Sequence, residues 1–147
     1  MALRGINHIV LKVRDLHISD RFYQGLLGMR LVGERPGMWF YSAGAHHHDL
    51  ALVEVGAQAP IPPAQAIGVF HICFDVSDEK ALAEIYKRCE EAPEIKILGT
   101  VDHTMTRSFY MADPDGYIIE LGVDVPREEW EHLSDPFEQD RPYLIKT

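Results

Sequence analysis

A chain of 147 residues can form one domain with a real core, and 46% hydrophobic with 25% charged residues is the composition of an ordinary soluble globular protein. A net charge of -9 argues against nucleic acid or an anionic membrane as partner, and no apolar run approaches the length of a membrane span. Two cysteines, Cys73 and Cys89, are too few for a disulfide framework; both fall in segments that read as core, which fits free buried thiols in a reducing cytoplasm.

The opening MALRGINHIV runs straight into a strand pattern, with no sign of a signal peptide. In that strand Ile9, Leu11 and Val13 alternate onto one face, His8 and Val10 onto the other. Ile18, Phe22 and the Leu26–Leu27 pair then recur at helical spacing, and Gly28 is a natural stop. Three short strands follow, at about 29–35, 38–43 and 50–55. Met38, Trp39, Phe40 and Tyr41 read as a core strand, and the stretch HHHDLAL, residues 46–52, leads into the last strand. AQAPIPPAQA carries three prolines, which exclude a helix or central strand, so 57–67 is a linker.

Beyond the linker the same order returns. Ile72, Phe74 and Val76 face one way and His71, Cys73 and Asp75 the other. Ser77 and Asp78 are candidate caps for a helix whose apolar stripe is Leu82, Ile85, Tyr86 and Cys89. Strands are expected at about 95–101, 107–112 and 117–123. DPDG, residues 113–116, is a turn by composition. After Val123 the chain becomes polar: Pro126 suits a helix first turn with Arg127 to Leu133 following, and Trp130, Phe137 and Tyr143 are the expected packing anchors of a tail that wraps its own domain or a neighbouring subunit.

The two halves are a repeat. At a constant offset of 63 residues His8 matches His71, Ile9 matches Ile72, Val13 matches Val76, Asp15 matches Asp78 and Tyr23 matches Tyr86. The predicted fold is α+β: two βαβββ modules, 5–56 and 68–123, forming a curved mixed sheet around a metal-containing cavity, helices outside, with a tail over 124–147.

A lone strand histidine is more often a satisfied core residue than a ligand, but two at matched places in a repeat point to a shared metal. Glu120 is the third candidate. It alternates with Ile119 and Leu121, where a carboxylate is costly to desolvate unless a charge compensates it; the plainer alternative is an exposed strand glutamate. Two imidazoles and one carboxylate leave open positions on an octahedral ion, the arrangement of non-haem Fe(II) oxygenases, and Mn(II) can occupy the same ligands.

These residues resemble the vicinal oxygen chelate superfamily, which includes glyoxalase I, type I extradiol dioxygenases, fosfomycin-resistance proteins and bleomycin-binding proteins. NHIVLKVRDL and FYQGLLGMRLVG carry the likeness in the first module, FHICFDVSD and FYMADPDGYIIEL in the second. Within it the chain looks most like extradiol, catechol 2,3-dioxygenase-like enzymes, through HHDLAL, DHTMTRSFY and a glutamate ten residues after Tyr110; the tail segment GVDVPREEW looks like that subgroup too. Two departures stand out. The larger extradiol enzymes carry a further N-terminal domain of the same build, and the glycine usual after the family histidine is Thr104 here.

The resemblance implies cleavage of a catechol-type aromatic diol by O₂ at mononuclear Fe(II), or Mn(II). His8, His71 and Glu120 would ligate the metal. His48 would be the acid/base, and His103 and Tyr110 would hydrogen-bond the substrate hydroxyl side. His46 and His47 are expected to be loop residues, with His47 at the mouth. A glyoxalase-like lyase or isomerase would want a fourth ligand on LALVEV, where Ala51 and Leu52 cannot bind metal and only a shifted Glu54 could. A non-catalytic drug- or metabolite-binding resistance protein would tend to lose the ligands. Arg35 and Arg107 are candidates for an anionic substituent, although exposure is the default for arginine, and His17 and His132 read as surface. Edge strands and the aromatic tail fit a homo-oligomer.

Overall fold

A computed structural model describes residues 2–147. The chain divides after Ala66 into two compact units, inside the proline-rich linker. Among the described residues no helix is long and apolar enough to cross a membrane.

In the first unit, β1 (Ile9–Val13), α1 (Leu16–Asp20), β2 (Arg30–Arg35), β3 (Met38–Ser42) and β4 (Leu50–Glu54) build a four-stranded sheet in the order β1-β4-β3-β2. In the second, β5 (Ile72–Asp75), α2 (Glu79–Glu91), β6 (Ile97–Asp102), β7 (Thr106–Ala112) and β8 (Ile118–Asp124) repeat that order as β5-β8-β7-β6. In each unit the first strand pairs parallel with the last and the other ladders are antiparallel. The mixed α+β architecture is the expected one, built as two sheets, each ladder closing on strands of its own module.

The repeat extends to the helix caps. Asp15 is the N-cap of α1, its carboxylate accepting from the Ile18 N–H at 2.9 Å; Asp78 caps α2 identically, from Ala81 N–H at 2.8 Å. Two expectations about the helices need correction. After α1 the chain continues as a π-helical turn, Arg21–Leu26, and the buried stripe is Leu16, Ser19, Phe22 and Tyr23 while Ile18 is 44% exposed. The helix after Pro126 is also short, α3 (Arg127–Trp130), with Pro126 at its cap. Gly28 does end the first helical run, at φ +80°.

Each sheet buries its helix-side face. In the first unit Leu11, Val13, Tyr41, Leu50 and Leu52 are buried; in the second Ile72, Phe109, Met111, Ile119 and Leu121 are, with Leu82 and Cys89 of α2 against them and Tyr86 edge-on to Phe109 at 5.1 Å. Cys89 is buried as expected. Cys73 is not: it lies on the opposite face of β5, an edge strand, and is exposed. Arg107 is committed to structure, pairing with Glu79, with Asp102 at 3.4 Å and with Glu129 at 3.9 Å. Arg35 sits over the Phe40 ring at 5.7 Å, and His17, exposed, meets Trp39 edge-on at 5.0 Å.

The tail wraps its own unit. A short β9 (Arg141–Pro142) pairs with β6 and covers that edge, Thr100 Oγ1 donates to the Tyr143 carbonyl at 2.5 Å, Trp130 Nε1 donates to the Val125 carbonyl at 3.0 Å, and Ile145 is buried. Phe137 is no anchor: it is 81% exposed, in a turn closed by the Asp135 carboxylate on its own N–H.

Two kinds of substitution test this account by urea unfolding. Asp15→Ala and Asp78→Ala should each cost about 0.5–2 kcal/mol through loss of a cap. Phe109→Ala, which empties the core beneath α2, should cost about 3–5 kcal/mol. Equal small losses for all three would contradict the burial assigned to Phe109.

Candidate functional site

The six residues singled out by the sequence fall into two sets, one per unit. In the first unit His8 stands at the start of β1 on the non-helix side, its Nδ1 donating to Asn7 Oδ1 at 2.8 Å. The loop before β4 is shaped by Asp49. Its Oδ2 accepts from the Ala43 N–H at 2.7 Å and its Oδ1 from His46 Nδ1 at 2.9 Å, while Ser42 Oγ donates to the His46 carbonyl at 2.8 Å. His46 is thereby turned back on its own loop. His48 instead reaches His8, ring centroids 4.5 Å apart, and meets Phe40 edge-on at 5.3 Å. His47 shares a 2.6 Å hydrogen bond between its Nδ1 and that of His48. Desolvation, then the neighbouring His47 and His8 rings, hold the His48 imidazole below its ordinary range, favouring the neutral form.

Glu54 is engaged elsewhere. It pairs with Val13 across the β1–β4 ladder, and its Oε2 accepts from the Leu16 N–H at 3.0 Å, satisfying a second donor at the start of α1. The one residue of β4 that could have supplied a fourth metal ligand therefore serves the helix.

In the second unit the register assembles one polar face. Cys73, Glu120 and Tyr110 are lateral neighbours on β5, β8 and β7, and Gly122 and Ser108 form the next row. Glu120 is buried, and its Oε2 lies 3.0 Å from His71 Nε2. The buried carboxylate thus has the compensating partner its position demands. Gly122 keeps this face open, since a Cβ there would meet Ser108 Oγ at 3.0 Å and Cys73 Sγ at 3.2 Å. The Cys73 sulfur is desolvated by the sheet and lies beside Glu120, which pushes the thiol up to about 12 and keeps it neutral. Tyr110 is raised in the same way, by burial first and then by Glu120, so its phenol stays protonated.

Tyr110 also meets His71 edge-on at 5.7 Å, and its hydroxyl hydrogen-bonds His103 Nε2 at 2.7 Å. The other nitrogen of His103 donates to Asp140 Oδ1 at 2.6 Å. Asp140 carries no signal in the sequence: it lies 37 residues from His103, in a tail whose path no local pattern fixes.

The pair His71–Glu120 suits a divalent ion. Two donors each about 2.0–2.2 Å from one ion, at a right angle, stand about 3 Å apart, which is their spacing here. The second nitrogen, His71 Nδ1, is buried without a hydrogen-bond partner among the described residues. Among the described residues no three His, Cys, Asp or Glu side chains gather around one point.

Known proteins agree with this picture at the level of family. The sequence model of the Glyoxalase/Bleomycin resistance protein/Dioxygenase superfamily matches residues 5–121. The chain is similar to biphenyl-2,3-diol 1,2-dioxygenase 3 of Rhodococcus globerulus, 29% identical over 86% of this chain and 68% of that one. It is also similar to the glutathione transferase FosA of Serratia marcescens, 30% identical over 82% of each. Among solved structures, a glyoxalase/dioxygenase from Nostoc punctiforme superposes with a TM-score of 0.71 over 84% of this chain and 93% of the other, at 22% identity, which speaks for the fold alone. With two like modules and a match across both units, the chain belongs to the glyoxalase/bleomycin resistance/dioxygenase superfamily, the vicinal oxygen chelate family.

Proposed function

We propose that this chain is an extradiol dioxygenase, cleaving the ring of a catechol-type substrate with O₂ at a single non-haem Fe(II), with Mn(II) as the other candidate. His8, His71 and Glu120 are the ligands in this reading. The observation that carries it is the buried Glu120 carboxylate held 3.0 Å from His71, with Tyr110 and His103 hydrogen-bonded beside it on the same unit. The similarity to a biphenyl-2,3-diol dioxygenase supports the reaction class.

A ferrous ion held by two imidazoles and a carboxylate supplies open positions and one-electron chemistry that couples dioxygen to an electron-rich ring. The chain's own residues supply the rest. His48, neutral because its environment disfavours the imidazolium, is the base that takes a proton from a substrate hydroxyl and later returns it. Tyr110, kept protonated, binds and orients the substrate's oxygen side, with His103 hydrogen-bonded behind it. Each unit sets an aromatic ring beside its histidine, Phe40 against His48 in the first and Phe70 edge-on to His71 at 5.6 Å in the second, which suits a flat aromatic ligand.

The similarity to FosA keeps a second reading in view, a metal-dependent lyase or transferase acting on a small electrophile. The commitment of Glu54 to the α1 N-terminus weighs against a four-ligand glyoxalase-like site.

Protein loaded anaerobically with Fe(II), given a panel of substituted catechols, should consume oxygen and form coloured ring-opened products. No uptake across the panel, with turnover of methylglyoxal–thiol adducts, would favour the lyase instead. His48→Gln should lower kcat about 10²–10⁴-fold while leaving metal content unchanged. Glu120→Gln should weaken Fe(II) or Mn(II) binding, followed by titration, by more than the roughly 10–100-fold that an outer-sphere partner costs; undiminished metal affinity would remove Glu120 from the ligand set.

A further inference from the structure

The C-terminal tail does more than cover a sheet edge. It brings Asp140 to His103, and three features of the fold hold it there. β9 pairs Arg141 with Asp102, the residue before His103. Thr104 Oγ1 donates to the carbonyl of Gln139, the residue before Asp140, at 3.1 Å. Thr104 itself sits at φ +72°, a conformation a β-branched residue rarely adopts, with its N–H held by Asp102 Oδ1 at 2.8 Å. A glycine would take that backbone without strain but would lack the hydroxyl that fastens the tail. The strained threonine and the placement of Asp140 are two sides of one arrangement.

We propose that Asp140 is a positioning residue of the site: by accepting from Nδ1–H of His103 it fixes the orientation and tautomer of that ring, leaving Nε2 to accept from the Tyr110 hydroxyl, so that the phenol oxygen receives a hydrogen bond from a ligand hydroxyl. A carboxylate can only accept, so a neutral His103 bonded to it carries its proton on Nδ1. Nε2 is then a lone pair, and the phenol at 2.7 Å donates to it in this arrangement; the same phenol also reaches the Glu120 carboxylate, and a proton given to Glu120 would instead require an N–H at Nε2. The Tyr110 oxygen is left with acceptor capacity. The ligand it prefers bears an O–H at that place, as a catechol does, rather than an ether or carboxylate oxygen. This deepens the dioxygenase reading, on which its catalytic consequence rests.

The Asp140 side chain is 68% exposed while that of His103 is 28% exposed, so Asp140 can be removed without opening the core. The first test uses metal-free protein with ¹⁵N-labelled histidine, the His103 signals assigned by their loss in His103→Gln. The wild type should show a protonated Nδ1 and a bare Nε2 on His103. Asp140→Ala should shift protons toward Nε2, and Asp140→Glu should restore the wild-type pattern. A protonated Nε2 in the wild type, or an unchanged spectrum in Asp140→Ala, would overturn the proposal whatever the enzyme's activity. The second test is oxygen uptake by the Fe(II)-loaded protein. Asp140→Ala should lower kcat/KM for catechol about 10–100-fold, chiefly through KM. In a Tyr110→Phe background the same change should cost less than about twofold, because the residue it acts through is gone. Equal losses in both backgrounds would contradict the relay. A wild type that takes up no oxygen bears on the dioxygenase reading alone, since the tautomer measurement needs neither metal nor substrate.

Discussion

The site depends on one buried acid. Glu120 lies in the middle of β8, flanked by residues that face the core, and a carboxylate there is tolerable only with a partner. That partner is His71, 3.0 Å away, brought alongside by the parallel pairing of β5 with β8. The neighbouring groups answer to this charge. Burial first, and then this charge, make Tyr110 and the Cys73 thiol hold their protons more tightly, which keeps the first a hydrogen-bond donor and the second an unreactive neutral group. Removing the acid would disturb a whole face of the second sheet.

Duplication explains why so much of this was legible. The matched histidines, the matched aspartates and the alternation of each first strand are local patterns, and the coordinates return them as equivalent strands and N-caps. The succession of elements along each half followed from the same repeat. The exception in the first helical segment is instructive: Ile18 and Phe22 share a helical spacing, yet the buried stripe runs through Leu16, Ser19 and Tyr23, a phase that includes a serine and that hydrophobicity alone does not select. Cys73 was misread for another reason. Its apolar neighbours suggest burial, but alternation puts it with His71 on the open face.

Long-range partners were not legible. Nothing near Glu54 indicates that its carboxylate serves the start of α1, 38 residues earlier, and that contact bears directly on which metal chemistry the first unit can support. Nothing near Asp140 indicates His103. In both cases a polar side chain finds a donor that chain topology delivers, and topology is read from registers rather than from periodicity. The departure at Thr104 was visible in the sequence, yet its meaning appears only with its positive φ and the carbonyl its hydroxyl meets.

The central claim is that His8, His71 and Glu120 hold one divalent ion. The most direct measurement is diffraction at the iron absorption edge from crystals loaded anaerobically with Fe(II). The account predicts one strong anomalous peak about 2.0–2.3 Å from a nitrogen of each histidine and an oxygen of Glu120. A peak ligated by other side chains, or none at a concentration that saturates binding in solution, would contradict it.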